Sequence, residues 1–132
     1  MNAFVGKWKL IAWENIDPIL SVLSIPEEQK AALLSNVIFE IEFPEPNVIK
    51  IKSNLALLSN DVLLPINEDF EAVTQEGTRF GGFAERISDT KIMYTQRHPI
   101  FQVTATSEVV DDENTLIANF LGVRSTFKFR RI

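Results

Sequence analysis

Short apolar–polar alternations run through most of this chain. Val37, Phe39, Ile41 and Phe43 alternate with Ile38, Glu40 and Glu42, and Ile49, Ile51, Ser53 and Leu55 alternate with Lys50 and Lys52. Turn signals follow at intervals of about ten residues: Pro44-Glu45-Pro46-Asn47, Ser59-Asn60-Asp61, Glu76-Gly77, Ser88-Asp89, His98-Pro99 and Asp111-Asp112-Glu113-Asn114. Period-two patterning broken by such turns predicts an antiparallel sandwich or barrel of about ten strands. One stretch departs from it. Between Ile16 and Asn36, Asp17-Pro18 opens one short helical piece, with proline tolerated in a first turn. Ser24-Ile25-Pro26-Glu27 opens a second with the spacing of a capping box. A helix-turn-helix is therefore expected between the first strand and the rest.

Parity assigns faces, because successive strand residues point to opposite sides. From Phe101 to Val110 the odd set is Phe101, Val103, Ala105, Ser107 and Val109, and it reads as inward; Ser107 is then an interior polar residue. In the last strand Ser125, Phe127, Phe129 and Arg131 form the odd set, against Thr126, Lys128 and Arg130 outside. Trp8 and Trp13 fall on opposite parities. Trp8 is expected in the core near a closed end, and Trp13 outward or beside the hinge of the helical segment.

Composition narrows the function. The chain has 132 residues, 45% of them hydrophobic, which fits one domain spanning 1–132 with its own core. Ten phenylalanines against one tyrosine and two tryptophans call for a bulky packed core or an apolar-lined cavity. A net charge of −5 argues against nucleic acid and against strong attraction to anionic membranes. The absence of cysteine excludes disulfides and thiol catalysis. The start, Met1-Asn2-Ala3-Phe4-Val5-Gly6-Lys7-Trp8, lacks the apolar core of a signal peptide, so a cytoplasmic protein is expected. No metal-ligand spacing or phosphate loop is present, and no cofactor is called for.

Phe4-Val5-Gly6-Lys7-Trp8-Lys9-Leu10, Glu14-Asn15, Asn67-Glu68-Asp69-Phe70-Glu71-Ala72-Val73-Thr74 and the turn Gly122-Val123 carry a more specific message. With an early strand, a helical hairpin and nine further strands, the chain resembles the intracellular fatty-acid-binding protein family over its full length. That resemblance implies an all-β, ten-stranded up-and-down antiparallel barrel of the lipocalin-like (calycin) kind, lidded by a helix-turn-helix. It also implies a monomeric carrier of a hydrophobic small molecule: a fatty acid, a retinoid-like compound or another lipid.

Many members of that family hold the ligand carboxylate with an arginine on the eighth strand and an Arg-x-Tyr on the tenth. The matching positions here are Ser107, Phe127 and Phe129, so all three polar anchors are missing. A carboxylate in an apolar cavity is costly unless paired, and losing one member of a buried charged pair costs about 2–5 kcal/mol. Each buried methylene contributes roughly 0.8 kcal/mol, so a sixteen-carbon tail supplies on the order of 10 kcal/mol before binding entropy. Lipid binding is expected to survive. A neutral lipid, or a fatty acid with its head elsewhere, is favoured.

By correspondence with the family, Tyr94 and Gln96 on the seventh strand and Ser53 on the third face the ligand, beside Ala105 and Leu116. Arg79 resembles an interior arginine of the family and, if inward, is the best remaining carboxylate partner. The alternation of Arg79, Gly81 and Phe83 with Phe80, Gly82 and Ala84 leaves its face open. The family's ligand portal corresponds to 16–34, 55–59 and 74–77, with Ile16, Leu20, Leu33, Leu57 and Leu58 as portal residues. The helical segment has one lysine, Lys30, against Asp17, Glu27 and Glu28. Transfer by diffusion, or by docking on a protein partner, is expected over electrostatic membrane contact. Two alternatives remain at this stage: an enzyme or isomerase acting on a bound lipid through Tyr94 or Ser107, and a packed-barrel protein-interaction module. The sole histidine, His98, sits before Pro99 in a turn with no nucleophile beside it.

Overall fold

The computed structural model describes residues 2–17, 26–53, 62–73, 79–97, 102–120 and 122–132. Ten strands form one antiparallel sheet. They are β1 (Gly6–Glu14), β2 (Ile38–Glu45), β3 (Val48–Ser53), β4 (Val62–Pro65), β5 (Asp69–Val73), β6 (Arg79–Ser88), β7 (Lys91–Arg97), β8 (Gln102–Val110), β9 (Glu113–Phe120) and β10 (Val123–Arg131). The strand order, β4-β3-β2-β1-β10-β9-β8-β7-β6-β5, is that of an up-and-down barrel in which the first and last strands pair in the middle. β4 and β5, the two ends of the strand order, approach each other with no ladder between them among the described residues, so the barrel is nearly closed. The helix α1 (Glu27–Leu34) lies between β1 and β2. The first helical piece expected from the sequence lies outside the described residues.

The sheet forms because its strands carry one apolar face each. Trp8, Leu10, Ile41, Ile49, Leu64, Ala84, Ile92, Val109 and Phe129 point inward and make one continuous buried cluster. Ile16, Leu34 and Val37 join it, so the helical segment is tied to the barrel at both of its ends. Glu40 opposite Lys52 and Glu42 opposite Lys50 fall on the other parity of β2 and β3, opposite charges facing across the pair. At the end of α1, the Ser35 hydroxyl and the Asn36 amide both donate to the Ala32 carbonyl, satisfying a helix-end acceptor.

One end of the barrel is closed by an arginine. Arg131 stacks its guanidinium over the Trp8 ring, 4.3 Å from the centroid. It donates to the carbonyls of Ala3 (2.7 Å) and Val5 and to the Asp112 carboxylate (3.2 Å). The Trp8 indole donates to the Phe4 carbonyl at 2.9 Å. Gly6 makes this possible. Its φ is +136°, and a Cβ there would stand 2.7 Å from the Arg131 guanidinium. The Gly-Lys-Trp of the opening sequence is thus a structural plug, with Trp8 wholly buried as expected.

Trp13 lies beside the hinge of the helical segment, as expected, and the ladder decides its face. The ladder between β1 and β10 is irregular between Leu10 and Ala12, and the extra residue resets the alternation. Trp13 therefore comes opposite Phe127, on the sheet face that Phe127 uses, and it remains 38% exposed where the chain leaves for the helical segment.

Candidate functional site

The inner wall formed by β7 to β10 can be read in tiers from the register. Val109, Asn114 and Phe129 form the lowest, next to the closed end. Above them lie Ile92, Ser107, Leu116 and Phe127, and then Tyr94, Ala105, Ala118 and Ser125. Gln96, Val103 and Phe120 form the tier nearest the open end. Ser107 and Phe129 are buried and Phe127 packs against the core, so the structure brings the three sequence-derived positions together on one wall. Phe129 also meets Phe39 edge-on, with centroids 5.2 Å apart.

Burial changes along this wall. Ile92, Val109, Asn114 and Phe129 are buried, whereas the inward-facing Tyr94, Gln96, Ala105, Leu116 and Phe127 keep accessible surface. Inward side chains that retain such surface border interior space. Buried Ala118, Phe120 and Ser125 share the upper tiers with these partly exposed residues.

Two polar groups stand out there. The Ser107 hydroxyl donates to Asn114 Oδ1 at 2.6 Å, both residues being buried. Asn114 escaped the sequence reading because it was assigned to the β8–β9 turn. The parity of β9, in which Asn114, Leu116, Ala118 and Phe120 share one face, is the signal that reveals it. The second group is the Tyr94 phenol. Burial pushes it well above the ordinary tyrosine range, since charging the ring oxygen inside the barrel is costly. The hydroxyl therefore stays neutral.

Arg79 does not join the wall. Phe80, Gly82 and Ala84 are the buried set of β6, and Arg79 is exposed at the strand's start on the opposite parity. The inward-arginine expectation is corrected. Adjacent glycines at 81 and 82 hid the period in the sequence by supplying no side chain to mark a face. Gly82 is inward because the Phe70 ring lies over it: a Cβ there would come within 2.5 Å of the ring. Ile16 is buried in the core at the start of the helical segment. Leu20, Leu57 and His98, and the side chains of Leu33 and Ser53, lie outside the described residues. Lys30 pairs with Asp17, which uses the helical segment's lysine internally. Among the described residues no three His, Asp or Glu side chains are grouped to hold a metal ion. No helix among them is long and apolar enough to cross a membrane.

A ten-stranded, nearly closed antiparallel barrel, plugged at one end by Trp8 and Arg131 and walled above with inward aromatic and small residues, defines the class of lipid-binding barrels. No family model matches the chain. Individual proteins do. It is 33% identical over 100 residues to a Fasciola hepatica fatty acid-binding protein type 3, covering 75% of each chain. It is 26% identical over 132 residues to a Clonorchis sinensis fatty acid-binding protein, covering 99% of each. A Schistosoma mansoni fatty acid binding protein solved in complex with arachidonic acid shares the fold, with a TM-score of 0.82 at 20% identity over 100% of this chain and 98% of that one. The chain belongs to the fatty-acid-binding protein family.

Proposed function

We propose that this protein binds and carries a lipid inside the barrel, as a cytoplasmic monomer, and that it does so without a charged anchor for the ligand head. The family supports the lipid, and the names of the relatives support a carrier over an enzyme. The observation that carries the second half is the wall of β8 and β10. Phe127 and Phe129 project inward where an Arg-x-Tyr pair is expected, and Ser107 is hydrogen-bonded to a neutral asparagine. Arg131, the inward-parity arginine of β10, is occupied below them by two carbonyls and Asp112. A buried carboxylate on this wall therefore has no cation to offset its desolvation. An uncharged lipid, or a fatty acid held with its head toward the open end, is the ligand that fits.

Extraction of the purified protein with organic solvent, followed by mass spectrometry, tests this directly. The expected yield is lipid in near-stoichiometric amount, enriched in uncharged species. The double variant F127R/F129Y is expected to gain affinity for long-chain fatty acids. Unchanged fatty-acid affinity in that variant would refute the missing-anchor argument while leaving lipid binding intact.

A further inference from the structure

We infer that Asn114, oriented by Ser107, is the head-group recognition site of this barrel and that it selects an uncharged head with a hydrogen-bond-accepting oxygen. This rests on the carrier reading above and gives it a ligand class: lipid amides, alcohols and esters.

The Ser107 hydroxyl donates to Asn114 Oδ1, which fixes the amide's orientation and leaves both N–H bonds of Nδ2 as donors. No described residue accepts from Nδ2. Asn114 is only 5% exposed, yet no fully occluded side-chain nitrogen or oxygen among the described residues lacks a partner. The amide nitrogen must therefore meet accessible space. Asn114 faces the same way as Phe129 and Val109, its register partners, and both are buried core residues. The register thus turns the amide toward the barrel interior.

The surroundings decide the charge of the partner. Phe127, Phe129, Val109 and Ile92 are the apolar neighbours by register. A carboxylate placed here would receive neutral N–H donors with no countercharge. A carbonyl or hydroxyl oxygen loses far less hydration on entry and can be fully satisfied by one amide donor. The Ser107 oxygen keeps a lone pair for the hydroxyl or N–H of an alcohol or amide head. A head at this depth leaves the chain to run past Leu116 and Tyr94 toward the open end.

The test uses four ligands with one octadecenyl chain: oleamide, oleyl alcohol, oleate and the bare alkene. Each displaces a fluorescent hydrophobic probe from the wild type and from N114L, which removes the donors at similar volume. The wild type is expected to prefer the amide and the alcohol to the alkene and to oleate. N114L should lose roughly tenfold for those two, the worth of about one hydrogen bond, with the alkene unchanged. If N114L does not fold, S107A serves instead, with a several-fold loss for the amide and alcohol alone. An unaltered head preference in the variant, or an equal loss for all four ligands, overturns the assignment and leaves the carrier function standing. Failure of the wild type to bind any ligand overturns both.

Discussion

The Ser125 hydroxyl donates a 2.5 Å hydrogen bond to the main-chain carbonyl of Asn15, 110 residues earlier in the chain. Ser125 is wholly buried, and Asn15 stands at a φ of +54°, a left-handed conformation that asparagine tolerates better than most residues. This bond ties the start of β10 to the point where the chain leaves β1. S125A strands a carbonyl at that point. It should lower stability by about 1–2 kcal/mol, read as a reduced urea midpoint with an unchanged slope.

Gly6 and Arg131 should be energetically coupled. G6A forces a disfavoured φ and displaces the guanidinium from the Ala3 and Val5 carbonyls. A loss of about 1–3 kcal/mol is expected. R131M removes the same contacts from the other side. In a double-mutant cycle the two losses should sum to more than the double variant shows; strict additivity would mean that the plug does not act as one unit.

Tyr94 is the one tyrosine of the chain, so its titration is optically clean. Its folded-state pKa is raised above 10 by burial, and the neutral form is the one the fold favours. The stabilisation is complete below pH 10, where the unfolded phenol is neutral too. It is lost as pH rises above 10 and the unfolded state alone gains charge. The tyrosinate absorbance band should therefore be missing just above pH 10 and appear together with alkaline unfolding. Y94F should unfold at a higher alkaline midpoint than the wild type.

The two tryptophans should behave differently on ligand addition. Trp8 is sealed under Arg131, whereas Trp13 lies opposite Phe127 and is partly exposed. A lipid beside Phe127 should shift the emission of the wild type and leave that of W13F unchanged. A shift that survives in W13F would place the ligand's effect at the closed end.

How far these features were legible depends on what each residue contributes to a periodic pattern. Strand positions and the inward set of β8 and β10 were readable because Val103, Val109, Phe127 and Phe129 put apolar side chains on one parity of each strand. Trp8 was readable for the same reason. Trp13 was placed at the hinge of the helical segment, but its face was not legible, because a single extra residue in a ladder reverses every face after it and composition gives no sign of such a residue at Ile11. Arg79 was ambiguous because Gly81 and Gly82 erased the alternation where it was needed. Asn114 was hidden by its type. A turn-forming residue beside Asp111 and Asp112 reads as turn, and only the register with Phe129 turns it inward.

The residues between the edge strands β4 and β5 are tied to their neighbours at one level. The Ile66 amide donates to the Asn47 carbonyl and the Asn67 amide to the Ala84 carbonyl, each at 2.7 Å. Asn67, at a φ of +61°, also accepts the Arg86 amide through its side chain. Among the described residues no ladder joins β4 to β5. The barrel is mechanically a split sleeve, fastened at one rivet. A sleeve split in this way widens by parting its edges, and its backbone ladders stay intact.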